Sequence, residues 1–508
     1  AGWQHDREDR VRRDRGVDRV AARAQDGQAG GRREVVRRDD RATRAADERH
    51  GDERQPRERV IGHRRIVVVR SRYPSRVRPL YAVFLGTFTL RFSTGLTGGL
   101  LLFYLARLHT DYGGARVDET TLAVMTALFY GSELIFSTPF GLLSDRLGHH
   151  RIMQVGPLFG IIAAVLTWAS VDLFVIGGTR LLEGASTAAS IPSILGFIAM
   201  FTAGDELLRG RASARFEGAT LAGIGAGAVA AGVLYDGIPG VWGGLQRDAF
   251  LLNAGFYVVS LLIYRYGVGE PPGEEAALAG EHTGWRRYAT VLLSSHVWLL
   301  APTWIAINAA LGLWASQSIF QLIKVPDPRF ADQALMGGFL GAQIALGLGI
   351  ALVIFFAGLA FWGDRFKRFR RTTIIFYGIV GGAVAVVGAG VVNHFAAAPA
   401  VALAAALLAG AGLFVLAGAT PAALGLLADM SEAYPSDRGA IMGLYSVFLA
   451  VGQIIGSFVG AEAAHRYGID GILLATLGLL GIALVPLRRL RPFEHVVGTA
   501  APARTSRA

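Results

Sequence analysis

Long apolar runs recur from residue 81 almost to residue 490, and they constrain the fold more than any other feature of this sequence. A bilayer core about 30 Å thick needs about 20 helical residues to cross it. No run alternates polar and apolar residues with the period of two that a barrel strand requires. Twelve runs reach spanning length: residues 81–106, 121–142, 152–171, 173–202, 217–236, 249–266, 297–320, 335–361, 373–393, 396–428, 439–463 and 470–487. The sequence therefore predicts an all-α polytopic membrane protein with twelve transmembrane helices.

Composition excludes several functional classes. Of 508 residues, 52% are hydrophobic and 18% are charged, whereas soluble domains are about 25% charged. Such a chain is not an ordinary cytosolic enzyme, and we expect no catalytic site. The absence of cysteine excludes thiolate-bound zinc and iron–sulfur clusters. The adjacent His149 and His150 have no third ligand at a metal-binding spacing, so we expect neither a metal nor another cofactor.

The first 79 residues differ from the rest of the chain. They contain 23 Arg against 14 Asp and Glu, and they have almost no long apolar content. A segment of this kind cannot bury a core, so the sequence predicts a disordered Arg/Asp-rich cytoplasmic extension over residues 1–79. One alternative is a misassigned start, because no Met precedes Met125. Another is an arm that binds anionic lipid or nucleic acid, but we expect no nucleic-acid partner.

The short connections between the runs predict the orientation of the chain in the membrane. Cytoplasmic connections carry an excess of Lys and Arg. With the N terminus inside, the connections on the cytoplasmic side carry 17 of these residues and those on the opposite side carry six. We therefore expect a multi-pass protein of the inner (plasma) membrane with both termini in the cytoplasm, and we expect a monomer.

The sequence also repeats. DRLGHHR at 145–151 follows the second run, and DRFKRFRR at 364–371 follows the eighth run, 219 residues later. The longest polar connection, 267–295, lies between the two sets of six runs. Duplication of this kind is typical of one class of secondary transporter. It predicts a six-helix half at 80–266, a cytoplasmic linker at 267–295, a second half at 296–490 and a cytoplasmic tail at 491–508.

Two motifs carry a resemblance to a known family. The stretch GLLSDRLGHHR resembles the loop signature between the second and third helices of the major facilitator superfamily, and RLLEGASTAA resembles its fourth-helix signature. The matching residues are Gly141, Asp145, Arg146, Gly148 and Arg151 in the loop, and Arg180, Glu183, Gly184 and Ala188 in the fourth run. The resemblance covers residues 81–490 and implies an alternating-access transporter, closest to drug-efflux members. The fifth run lacks the proline that proton-driven exporters of this family usually carry, which weakens an antiport assignment.

The loop motif predicts a gate. A carboxylate at a helix start meets exposed N–H groups, and Gly148 permits a tight turn. A pair of Asp145 with Arg146 or Arg151 would fasten one conformational state and break in the other. Asp364 and Arg365 are the predicted counterparts in the second half. There, Ala360 and Lys367 replace the two glycines of the signature. The alternative is a solvated loop that obeys the positive-inside rule.

Four ionisable residues lie well inside the predicted spans: Arg91, Glu133, Arg180 and Glu183. A charge at the bilayer centre costs about 2.5–3.5 kcal/mol on insertion scales and faces the bundle interior. Two interpretations stay open: Glu133 or Glu183 exchanges a proton under the influence of a nearby arginine, or the four residues form structural ion pairs. By resemblance, Arg180 matches an arginine linked to proton coupling in the superfamily. Asn308, one of few carboxamides inside the spans, completes the predicted substrate pathway.

The scarcity of carboxamides also bears on the substrate. A sugar site needs many convergent hydrogen-bonding groups, whereas aromatic side chains are frequent in the first two runs and suit lipophilic or cationic amphiphiles. The sequence therefore favours efflux of a small amphiphilic solute by alternating access, with protons as a candidate coupling ion. Uptake of a sugar or an organic acid is the first alternative. A polytopic sensor or assembly factor that transports nothing is the second.

Overall fold

The computed structural model describes residues 78–202, 206–269, 296–363, 365–366, 368–431, 438–492 and 494. The predicted extension, the linker and the C-terminal tail therefore lie wholly or mostly outside the described residues. The helices of the first half are α1 (Arg78–Tyr112), α2 (Glu119–Leu147), the short α3 (His149–Ile152), α4 (Val155–Ala169), α5 (Leu173–Phe201), α6 (Glu206–Asp236) and α7 (Ala249–Gly267). Those of the second half are α8 (Ala301–Ile323), α9 (Gly341–Gly363), α10 (Arg371–Phe395), α11 (Pro399–Leu416), α12 (Ala419–Ser431) and α13 (Arg438–Leu490).

The all-helical architecture is confirmed, and some boundaries differ from the predicted ones. The predicted span 396–428 is divided into α11 and α12, and α12 begins two residues before Pro421, a residue that cannot donate a backbone hydrogen bond. The last two predicted spans are joined in α13, where Gly468 has φ of 61° and changes the direction of the chain. The helix predicted at 335–361 starts only at Gly341, because Gly337 and Gly338 both have positive φ.

Nine helical segments within the described residues are long and apolar enough to cross a bilayer, and the last of them contains both final predicted spans. Neither α1 nor α8 belongs to this set. Both helices carry many buried polar side chains, such as Thr87 and Thr97 in α1 and Asn308 and Gln317 in α8. A helix whose polar groups face a protein interior needs less apolar surface than one surrounded by lipid.

The two halves pack through equivalent helices. In the first half α1 contacts α6 and α7, and α4 contacts α7; in the second half α8 and α10 both contact α13. Between the halves, α2 packs on α13 and α6 packs on α9. The second and eighth spans are equivalent in the repeat, as are the fifth and the eleventh. The two interfaces between the halves are therefore related by exchange of the halves, as an internal duplication requires.

Small residues allow the closest helix contacts. A Cβ added at Gly227 of α6 would collide with the backbone of Phe92 in α1, and one added at Gly456 of α13 would collide with the backbone of Ala309 in α8. In lipid, packing at such small-residue faces is a main source of helix association. These contacts hold together the helices that carry the charged residues described next.

Candidate substrate site and gates

Five acidic and basic residues in the described helices of the first half form a group that we call the charge cluster: Arg91, Glu133, Arg180, Glu183 and Glu217. They come from α1, α2, α5 and α6. Arg91, Arg180 and Glu183 are buried, whereas Glu133 and Glu217 are half-buried. Four of the five were predicted from the sequence. Glu217 was missed because the predicted fifth span began at that residue, whereas α6 begins eleven residues earlier.

Arg180 and Glu183 form an ion pair within α5, one helical turn apart. Only 8% and 2% of their side chains are exposed. The guanidinium of Arg180 also lies 5.2 Å from the centre of the Phe129 ring of α2, which is a favourable position for a cation. Arg180 is therefore neutralised by a partner on its own helix.

Arg91 is placed differently. Its side chain is buried, and its Nη1 lies 3.5 Å from the Thr187 hydroxyl of α5, at the outer limit of a hydrogen bond. Its Nε has no acceptor among the described residues. Glu133 lies on α2, which packs on α5, and Glu217 lies on α6, which packs on α1. Neither carboxylate forms an ion pair with Arg91 among the described residues.

Glycines bring the helices of the charge cluster together. A Cβ added at Gly184 of α5 would lie 3.0 Å from the backbone nitrogen of Glu133 in α2. A Cβ added at Gly223 of α6 would lie 2.8 Å from the Cβ of Arg91 in α1. The four helices therefore approach one another at the level of the charges, and the two glycines leave no space for a larger side chain.

Asn308 lies in the second half, and its amide donates to the backbone oxygen of Trp304 in its own helix, at 2.9 Å. Its Cβ lies 2.6 Å from the position that a Cβ on Gly452 would occupy. The structure thus places Asn308 at a contact between α8 and α13. Within the described residues, no group of three potential ligands could hold a metal ion.

The loop motif lies at one end of the bundle, which we call the Asp145 end. Gly148 has φ of 98°, a conformation that strongly favours glycine, and its N–H donates to Ser144 at the end of α2. Asp145 faces His149 at 3.4 Å. Arg146 and Arg151 are exposed, and neither forms an ion pair with Asp145 within the part of the chain that the structure describes.

The second-half counterpart is only partly described. Asp364, together with Lys367, lies outside the described residues. Arg365 donates to the backbone oxygen of Phe361 at 2.9 Å, and its guanidinium lies 3.4 Å from the centre of the Phe361 ring. The predicted pair of Asp364 and Arg365 therefore stays a prediction.

The opposite end of the bundle, the Glu119 end, holds the two halves together. The carboxylate of Glu119, in the first turn of α2, accepts hydrogen bonds from Lys324 Nζ at 2.8 Å and Gln321 Nε2 at 3.1 Å. Gln317 donates to its backbone oxygen at 3.1 Å, and His465 Nδ1 lies 3.7 Å from its carboxylate. All four partners belong to the second half.

A second contact between the halves lies at the same end. The carboxylate of Asp236, at the end of α6, accepts hydrogen bonds from both terminal nitrogens of Arg107. It also accepts a hydrogen bond of 2.7 Å from the backbone N–H of Gly341 in the second half. Ser457 of α13 also lies 3.4 Å from the backbone oxygen of Ala123. Every hydrogen bond between the halves that falls within the described ranges lies at the Glu119 end, so the structure is closed there.

The contacts of Glu119 were not predicted from the sequence. Glu119 stands before the predicted second span, where an acidic residue in the first helical turn has a sufficient local explanation. Three of its partners lie about 200 residues away and His465 lies 346 residues away, and no spacing rule links them. A lysine directly after the seventh apolar run was the only available signal.

The sequence matches the family model of the Major Facilitator Superfamily over residues 83–420. It is 25% identical over 272 residues to the lysophospholipid transporter LplT of Klebsiella pneumoniae subsp. pneumoniae, a match that covers 49% of this chain and 64% of that protein. It is 30% identical over 151 residues to the LplT of Salmonella agona, covering 27% and 36% of the two chains. The chain thus spans less than two thirds of these relatives.

The fold also matches a solved structure. The crystal structure of the nucleoside transporter NupG superposes with a TM-score of 0.58 at 13% sequence identity, covering 81% of this chain and 98% of that one. At this identity the likeness concerns the fold alone.

We expect Glu119→Gln to loosen the Glu119 end. The substitution leaves Lys324 without its anion, and hydrogen bonds to charged groups contribute about 1.5–3 kcal/mol. The equilibrium between closed and open states at this end should therefore shift about fivefold or more. Because the chain has no cysteine, the alkylation rate of one cysteine introduced at Ala123 reports the opening.

The matched control is Asp327→Asn. Asp327 pairs with the exposed Arg329 in the same connection of the second half, and this hydrogen bond lowers the pKa of Asp327 to about 2. Its loss should leave the alkylation rate unchanged. Exchange of the charges, Glu119→Lys with Lys324→Glu, should restore closure. Equal alkylation rates in Glu119→Gln and the unmodified protein would show that this contact does not close the bundle.

Proposed function

This chain belongs to the Major Facilitator Superfamily, and on that premise we propose that it moves a lipid-like amphiphile across the inner membrane by alternating access. It is a multi-pass membrane transporter and not an enzyme. The proposed substrate has a charged headgroup and an acyl chain, and lysophospholipids are its first candidates.

The supporting observation is the unequal distribution of charge between the two halves. Four residues of the charge cluster lie 10 or more residues from the nearest end of their helices, and Arg180 lies seven residues from the start of α5. In the described part of the second half, ionisable side chains lie in connections or within two turns of a helix end or of the break at Gly468. The buried polar groups deeper in that half are carboxamides such as Asn308 and Gln453. A substrate path between a half with interior charges and a half with interior carboxamides would suit a molecule with one charged end and one apolar end.

The relatives favour the same class, because LplT is named a lysophospholipid transporter. They give no support to a drug exporter in particular. A sugar or organic acid is a weaker candidate, since the described interior offers few convergent hydrogen-bonding groups. The direction of transport and its coupling to protons remain parts of the proposal; Glu133, half-buried and without an ion-pair partner among the described residues, is the proposed proton carrier.

We further propose that the Asp145 end is the cytoplasmic gate and the Glu119 end the extracytoplasmic gate. The count of Lys and Arg in the connections supports this orientation. In the state described, the Glu119 end is closed, so Asp145, Arg146, Gly148 and Arg151 would fasten the opposite end in the alternate state. That rearrangement requires Asp145 to leave His149 and approach one of the two arginines.

We expect the purified full-length protein in liposomes to move a fluorescent lysophospholipid between leaflets faster than protein-free liposomes do, as measured by dithionite quenching. A pH-sensitive dye inside the same liposomes reports proton movement. If Glu133 carries the proton, Glu133→Gln should abolish the pH change that accompanies lipid movement. Glu462→Gln, an exposed carboxylate paired with Arg466 on its own helix, is the matched control.

Two outcomes would contradict this function. One is transport of uridine or a disaccharide by protein that leaves the lysophospholipid in place. The other is movement of no solute by protein that is monodisperse and melts cooperatively, which would favour a sensor or assembly role. Lipid movement without any pH change would retain the substrate class and reject proton antiport.

Asp145→Asn tests the cytoplasmic gate. An exposed ion pair contributes about 0.2–1 kcal/mol, so its loss should slow the transport cycle by up to about fivefold. Stopped-flow quenching of the same lipid measures the rate, and Asp172→Asn, at the opposite end of the bundle, is the comparison. An unchanged rate together with unchanged alkylation of a cysteine at Leu147 would disprove the gate.

A further inference from the structure

Part of the hydrogen-bonding capacity of the Arg91 guanidinium is not used by the described residues around it. It is 8% exposed, its Nε has no acceptor among the described residues, and its one hydrogen bond, to Thr187, is 3.5 Å long. A buried guanidinium that lacks acceptors costs stability. The Nε of Arg180 in the same half also lacks an acceptor, but Arg180 forms an ion pair with the carboxylate of Glu183. Arg91 is thus the buried arginine of the charge cluster that has no ion-pair partner among the described residues.

Besides the Arg180–Glu183 pair, the charge cluster contains one arginine and two carboxylates. Glu217 lies on α6, six residues before Gly223, whose Cβ position is 2.8 Å from the Cβ of Arg91. The backbone nitrogen of Glu133 lies 3.0 Å from the Cβ position of Gly184, three residues before Thr187. Neither carboxylate is ion-paired within the described ranges. One cation and two anions leave this group with a net charge of −1. A bound phosphate alone would raise the negative charge to −2, which low-dielectric surroundings oppose. A headgroup that carries both a phosphate and an ammonium leaves the net charge at −1. Its phosphate is a partner for the guanidinium, and its ammonium is a partner for the carboxylates.

We infer that Arg91, Glu133 and Glu217 form the binding site for a zwitterionic headgroup, with the phosphate on Arg91 and the ammonium beside the two carboxylates. The inference rests on the proposed function and assigns the headgroup chemistry to particular residues. The guanidinium matches phosphate oxygens through several N–H groups at once. The hydroxyl of Thr187 lies 3.5 Å from the guanidinium, and Gly223 leaves space for α1 and α6 to approach at this level.

Binding to the detergent-solubilised full chain tests the site, with intrinsic tryptophan fluorescence as the readout. The probes share one acyl chain: lysophosphatidylethanolamine, lysophosphatidic acid and monoacylglycerol. We expect the first to bind tightest. Arg91→Gln should weaken binding of the two phosphate lipids by about tenfold and leave monoacylglycerol unchanged. Arg91→Lys should recover part of the loss.

Glu217→Gln tests the ammonium side. It should reduce the preference for lysophosphatidylethanolamine over lysophosphatidic acid and leave monoacylglycerol unchanged. Arg265→Gln, an exposed arginine at the end of α7, is the control and should alter none of the affinities. If Arg91→Gln does not fold, two measurements still test the site. They are the order of the three affinities in the unmodified protein and the change in lipid preference in Glu217→Gln.

Several results would overturn the site. Equal binding of all three lipids by the unmodified protein would show that no headgroup is recognised, while lipid transport in liposomes would still support the proposed function. An equal loss for all three lipids in Arg91→Gln would make Arg91 a structural residue. Water-soluble glycerophosphoethanolamine that binds as tightly as the lysolipid would assign the site to a free phosphodiester instead of a lipid.

Discussion

The cost of placing a charge inside a bilayer governs the arrangement of this protein. An arginine or a carboxylate inside the membrane must face the bundle interior and find a partner, and the described helices of the first half carry the five residues of the charge cluster. Arg180 and Glu183 meet this requirement on a single helix. Arg91, Glu133 and Glu217 come from three helices and form no ion pair with one another among the described residues. We propose that a zwitterionic headgroup supplies the partners that these three side chains lack.

Closure at the Glu119 end also depends on a pair of opposite charges, but this pair lies at the end of the bundle and is partly exposed. Glu119 and Lys324 retain 11% and 18% of their side-chain exposure, so their pair is easier to break than one at mid-membrane. Such a contact can open and close within a transport cycle, whereas the Arg180–Glu183 pair stays within one rigid helix. The Arg180–Glu183 pair is thus confined to one helix, whereas the Glu119–Lys324 pair, which we propose as part of a gate, joins the two halves.

The fold could be predicted from the sequence because apolar runs of spanning length and repeated loop motifs act locally. The same local signals identified Arg91, Glu133, Arg180 and Glu183, since a charge within an apolar run is conspicuous. Glu217 and Glu119 were missed for one reason: each lies at the end of a run, where a carboxylate is ordinary. Their significance comes from helices that meet in three dimensions, and no spacing in a single sequence encodes those contacts. Likewise, the break before Pro421 and the turn at Gly468 depend on packing as well as on residue type.

The most direct test of the account is the distance between the two halves at the Glu119 end. Spin labels at Arg116→Cys and Arg329→Cys, both exposed positions in a chain without native cysteine, report this distance by pulsed electron paramagnetic resonance. The account predicts a short distance without substrate and a second, longer distance that grows in population when lysophosphatidylethanolamine is added. A single distance, unchanged by that lipid and by Glu119→Gln, would contradict alternating access through this gate.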